Sequence, residues 1–165
     1  MLESMDMRGR FTVHLIDADG EVVHRQVRSN HIVKSGRRLV AELFGGVASG
    51  TPPTQVSHVA VGTNGTRPSD DDGSLKAQRG SPNPITEVTY TDFDEPIPPG
   101  SEVVKRTRVS VTAVFDFDEA NGSAPLREAG LLTAATDGVL YNRVVFDPVT
   151  KTNAFKLTVL WDIVF

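Results

Sequence analysis

Two long segments in which apolar and polar residues alternate leave this chain little choice of fold. In VVKRTRVSVTAVFDF (103–117), Val103, Val109, Val111, Ala113, Phe115 and Phe117 share one parity with Lys105 and Thr107. Arg106, Arg108, Ser110, Thr112 and Asp116 take the other. The final segment, AFKLTVLWDIVF, repeats the pattern: Phe155, Leu157, Val159, Trp161, Ile163 and Phe165 against Lys156, Thr158 and Asp162. Successive side chains of a strand point to opposite faces, so each segment has a dry face and a wet one. Two dry faces need an apolar layer to cover them. Trp161, the single tryptophan, and Phe115, Phe155 and Leu157 are the expected core anchors.

The remaining punctuation fits the same class. RFTVHLI (10–16) and EVVHRQV (21–27) flank Asp-Ala-Asp-Gly, a hairpin signal. VSHVAVG (56–62) reads as a strand, and LREAGLL and VLYNRVVF (126–132 and 139–146) as two more, joined by TAATDG. Val33, Leu39, Val40, Leu43 and Phe44 fall at near-helical spacing, with Ser35 placed to cap and Gly45-Gly46 to terminate. One packing helix over about 35–44 is expected. The fold class is therefore all-β, a β-sandwich or jelly-roll-like domain of eight or so strands with one short helix. Residues 1–9 are expected to form a flexible tail, with Met5 and Met7 as possible alternative starts, and 10–165 a single domain. TNGTRPSDDDGSLKAQRGSPNP (63–84) is expected as a long polar loop and DEPIPPGSE (94–102) as a turn.

Composition narrows the chemistry. A net charge of −4 provides no basic field to attract nucleic acid or anionic lipid. No apolar run approaches the ~18 residues of a membrane span, and the N-terminus lacks the apolar core of a signal peptide. Zero cysteines exclude disulfides, thiolate metal sites and a cysteine nucleophile, and fit synthesis in a reducing cytoplasm. No G-x-S-x-G nucleophile turn occurs. His14 and His24 lie on opposite arms of the first hairpin and could approach each other, but two histidines do not make a zinc site. The run SDDDGS (69–74) offers carboxylates of the type calcium takes, yet lacks the spacing of a calcium loop. It reads as solvated loop charge. VGTNGT (61–66) has glycines but no lysine and no helix after it, so it is not a phosphate loop. No catalytic residue, metal site or cofactor is assigned.

One pair of charges asks for an explanation. Glu128 and Arg143 each stand within an apolar strand of the 126–146 hairpin. A carboxylate and a guanidinium on adjacent strands can pair bidentately and fix the hairpin's register. The alternative is two unrelated surface charges, because alternation does not say which face is inside.

The segments SNHIVKSGRRLVAELFGG, VSHVAVGTNGT with DDDGSL, ANGSAPLREAGLLTA, and LYNRVVFDPVTKTNAFKLTVLWDIVF occur in an order that resembles a group of small bacteriophage tail and virion structural proteins. The likeness spans about residues 29–165 and lies in spacing and hydrophobic character. Gln78-Arg79 stands where that group tends to carry a glutamate-arginine pair. The resemblance implies a non-enzymatic assembly subunit of the tail, neck or fibre region. It would be located in the virion and partnered by copies of itself and by other virion proteins, without nucleic acid or membrane. Arg67, Asp70, Asp71, Asp72 and Arg79 are then the candidate interface residues of the long loop. A receptor- or carbohydrate-binding module at a fibre tip and a capsid decoration protein are the other readings of the same class of domain; a cell-wall hydrolase is a third.

Overall fold

The structure, a computed structural model, describes residues 7–47, 50–98, 100 and 102–165. It is an all-β sandwich with a single helix. The first sheet holds β1 (Arg8–Ile16), β2 (Val22–Ser29), β6 (Glu87–Pro96), β7 (Val103–Phe115) and β10 (Lys156–Val164), in the order β2-β1-β10-β7-β6. The second holds β3 (His31–Ile32), β4 (His58–Gly62), β5 (Asn83–Pro84), β8 (Leu126–Leu132) and β9 (Leu140–Val149), in the order β3-β9-β8-β4-β5. All pairings are antiparallel.

Alternation places the core as expected. Val111, Ala113 and Phe115 of β7 and Leu157, Val159, Trp161 and Ile163 of β10 are buried. Trp161 lies against Phe11 of β1 with ring centroids 4.6 Å apart, and Phe11 stacks on Phe146 of β9 at 5.3 Å, which joins the two sheets. Phe155 departs from the expectation. It precedes β10 and is only partly buried at the margin of the core, because the strand starts at Lys156. Phe165 exchanges two backbone hydrogen bonds with Thr107, at 2.9 and 3.3 Å.

Several boundaries shift. Arg8 and Gly9 belong to β1 rather than to a tail, and Met7 packs against the core; residues 1–6 of the expected tail lie outside the described residues. The turn expected over 94–102 is shorter, because Asp94, Glu95 and Pro96 continue β6; its residues 99 and 101 lie outside the described residues. His14 and His24 do not meet, since His14 faces Arg25 and His24 faces Leu15 across the β1–β2 ladder, on opposite faces.

The helix α1 (Lys34–Gly45) forms where the apolar spacing requires, but Ser35 is not its cap. The N-cap position is Val33, without a capping side chain. The first amides are satisfied from outside the helix: the Val33 amide donates to the Tyr141 carbonyl at 3.2 Å and the Lys34 amide to the Asp70 carbonyl at 2.9 Å. The Ser35 hydroxyl donates to the Leu140 carbonyl at 2.7 Å. Tertiary contacts have replaced the local cap.

Candidate functional site

The outer face of the second sheet is not open to solvent. The segment 63–79 crosses it and is clamped by charges buried beneath. Arg143 and Glu128 are fully buried, and the Asp72 side chain is nearly so. Arg143 Nε donates to Glu128 Oε2 at 2.7 Å. Its Nη1 donates to the Thr66 carbonyl at 2.9 Å and to Asp72 Oδ2 at 3.1 Å, and its Nη2 to Asn64 Oδ1 at 3.3 Å. Four of the five guanidinium N–H groups thus have acceptors, three of them supplied by the loop. Glu128 in turn accepts the backbone amides of Lys76 at 3.1 Å and Ala77 at 2.7 Å. Asp72 accepts the Ser69 amide at 2.9 Å and pairs with Lys76 Nζ at 3.0 Å.

Electrostatics agree with the geometry. Burial alone would raise the Asp72 carboxyl, but the Ser69 amide, Lys76 and Arg143 outweigh it and hold its pKa below the usual value. Removing a charge pair from water is costly, and the added hydrogen bonds compensate for it. A small apolar cluster of Val33, Ala60, Leu75, Leu132 and Leu140 lies beside the charges and seats the loop through Leu75.

Strand glycines make room for this docking. A Cβ on Gly62 would lie 2.6 Å from Glu128 Oε1 and would collide with the Ala77 carbonyl. A Cβ on Gly130, which faces Arg143 across the ladder, would lie 2.8 Å from the Asn142 carbonyl of β9 and 3.1 Å from the Leu75 side chain of the loop. Glycine in a strand interior marks the close approach of another backbone. The loop then runs beside β4: the Thr63 amide donates to the Ala77 carbonyl at 2.9 Å and the Arg79 amide to the Val61 carbonyl at 2.8 Å.

These contacts correct two expectations. The Glu128–Arg143 pair exists, but its two residues are not directly opposite: Glu128 faces Val145 and Arg143 faces Gly130. Most of its bonds reach the loop, so it anchors the loop as well as bridging β8 and β9. The acidic run is not simply solvated charge. Asp72 is buried in the clamp, and Asp70 contacts His31 at 2.7 Å and Arg37 at 3.1 Å. Hydrogen bonds from His31 and Arg37 lower the Asp70 pKa, with burial opposing them. Asp71 and Arg67 remain exposed on the outer surface of the loop. Arg79 is half-buried and donates to the Ala124 carbonyl at 2.5 Å, while Gln78 donates to the Gly80 carbonyl at 3.0 Å.

Lys151 escaped sequence reasoning. It is fully buried and donates to the Asp116 carbonyl at 2.7 Å and to Asn121 Oδ1 at 2.9 Å, tying the loop after β7 to the one before β10. Burial lowers its pKa against the opposing pull of Asp116, Glu119 and Asp118.

The other surface feature is the flank of the first sheet by the helix. Leu39 and Leu43 of α1 face Val88, Tyr90, Val109 and Phe165 across an apolar cleft of about 320 Å³. Its rim is exposed: Tyr90 retains 72% of its surface and Leu43 50%. Tyr141 lines the cleft floor, and its buried hydroxyl has no hydrogen-bond partner among the described residues. Burial pushes its pKa up to about 12.

No family model, no curated protein and no solved structure matches this chain.

Proposed function

We propose that this chain is a non-enzymatic structural subunit of a bacteriophage or phage-tail-like particle, working through protein–protein contacts in the tail, neck or fibre region. The observation that carries the reading is the use made of its buried charge. Arg143, Glu128 and Asp72 are committed to holding a loop on a sheet, with their hydrogen-bonding capacity directed at backbone and at one another. The segments that resemble virion proteins supply these parts: VSHVAVGTNGT brings Gly62, Asn64 and Thr66, DDDGSL brings Asp72 and Leu75, PLREAGLL brings Glu128, and LYNRVVF brings Arg143. That these segments hold the parts of one clamped loop supports the assembly reading.

What the domain presents outward is shape: the exposed side of the loop with Arg67 and Asp71, the apolar rim near α1, and the long free strand β6. Mass spectrometry of purified particles tests the reading, followed by cryo-electron microscopy to locate the chain. The expected result is a fixed copy number at one symmetric level of the particle. Absence of the chain from intact particles defeats it.

A further inference from the structure

The two sheets treat their edges differently. The second sheet ends in β3 and β5, two residues each, and Pro84 removes a donor from the latter. Short edges and proline are the usual means of preventing one sheet from pairing with another. The first sheet has neither protection. Its edges are β6, ten residues long, and β2, eight. Strand β6 pairs with β7 without a register shift, and its one proline is its last residue.

The two open edges differ in charge. Strand β6, EVTYTDFDEP, carries four carboxylates and no base; β2, VVHRQVRS, carries two arginines and a histidine and no acid. Part of this charge is used internally. Asp94 pairs with Lys105, Glu95 with Arg8 and Arg106, and Arg28 with Asp147. Glu87 and Asp92 on one edge, and His24 and Arg25 on the other, make no ion pair among the described residues. The parity also matches. Glu87 faces Thr112 and Arg25 faces His14, both on the outer face; Asp92 faces Thr107 and His24 faces Leu15, both on the inner face. Each edge has exposed apolar side chains as well: Val88 and Tyr90 on β6, Val22 and Val23 on β2.

We propose that copies of this chain join head to tail through the first sheet, the acidic edge β6 of one copy pairing with the basic edge β2 of the next. Self-pairing of β6 would set carboxylates against carboxylates, and self-pairing of β2 base against base, so neither edge suits a two-fold dimer. Between β2 and β6 lie four antiparallel steps, so the two edges run in the same direction. Copies related by rotation about an axis along the strands therefore pair in parallel, and such a contact closes into a ring or continues as a filament. The inference deepens the assembly reading above by naming the surface through which copies meet.

Sedimentation velocity on the full chain, over a range of concentrations and at low and high salt, tests it. The wild-type chain is expected to self-associate, less so at high salt. His24→Glu/Arg25→Glu spoils β2 only and Glu87→Lys/Asp92→Lys spoils β6 only; each is expected to sediment as a folded monomer, judged by circular dichroism. Mixed one to one, the two variants offer each other a native acid–base contact and a charge-reversed one, and are expected to regain the self-association that each lacks alone. Because the chain has no cysteine, Glu87→Cys and Arg25→Cys are clean cross-linking reporters. A flexible thiol-reactive bis-maleimide, able to span a shift of a few residues along the paired edges, should join the mixture into a heterodimer, and Glu87→Cys alone should not dimerise. A wild-type chain that is monomeric throughout, variants that associate like the wild type, or a β6–β6 cross-link overturns the proposal. A monomer that is nevertheless present in particles defeats the edge pairing and leaves the assembly reading intact; a ring-former absent from particles does the reverse.

Discussion

Arg143 concentrates more of the structure than any other side chain, because its partners sit on one strand and at three points of a loop. Replacing it by methionine keeps much of the volume but leaves Glu128 and Asp72 buried without their cation. The expected loss is about 3–5 kcal/mol, read from urea denaturation; an unchanged midpoint would show that the clamp contributes nothing to stability. Tyr141 gives a prediction in pH. Its phenol pKa is raised from about 10 to about 12 by burial. Its contribution is fully present below the unfolded value of about 10 and is lost as pH rises towards the folded value. At ~1.4 kcal/mol per unit this amounts to about 2–3 kcal/mol. Tyr141→Phe should flatten the fall in stability between about pH 10 and 12. Sequence reading picked out Glu128 and Arg143 because charges inside apolar strands are conspicuous. It placed Asp72 in water because a carboxylate in a run of carboxylates carries no mark of its own burial. The mark was next to it: Leu75, a lone large apolar residue in a polar loop, and the strand glycines Gly62 and Gly130.

At the level of elements, alternation was enough to find β7, β10 and both hairpins that start from clear turn signals. It did not resolve β6, whose side chains are mostly exposed on both faces, so that little burial imprints a period on the sequence. The helix was legible but its cap was not, because its first amides bond to backbone carbonyls remote in the chain. Loop docking depends on bare backbone at Gly62. Gly62→Ala pushes a methyl against the Ala77 carbonyl and Glu128. It should cost about 1–3 kcal/mol and speed proteolytic cleavage within 63–84. Leu75→Ala should have the same proteolytic signature without the steric cause, at about 2–3 kcal/mol for a buried leucine whose site can partly collapse. Cleavage unchanged in both variants would mean that the loop is held by something other than its buried underside.

For the molecule as a whole, stability should be graded across the first sheet. β1 and β10 are central and carry the fully buried Phe11, Val13, Val159 and Trp161, whereas β6 lies at an edge with most of its side chains in water. Hydrogen exchange on the monomeric His24→Glu/Arg25→Glu variant should find the amides of β10 slowest and those of β6 among the fastest strand amides. In the wild-type chain, at concentrations where copies associate, the β6 amides should slow while those of β10 stay unchanged. Equal protection of β6 and β10 in the monomer would contradict the grading.

The clamp also orders events in time. Arg143 reaches Asn64 across 79 positions of the chain and Asp72 across 71. Closing so long a span is entropically slow and gains nothing until the strand that carries the guanidinium is in place. A nascent polypeptide emerging from the ribosome thus exposes its acidic segment well before its cationic counterpart has been synthesised. The latch over the second sheet therefore waits for β9, and the first sheet waits longer still, because β1 pairs with β10 at the far end of the chain.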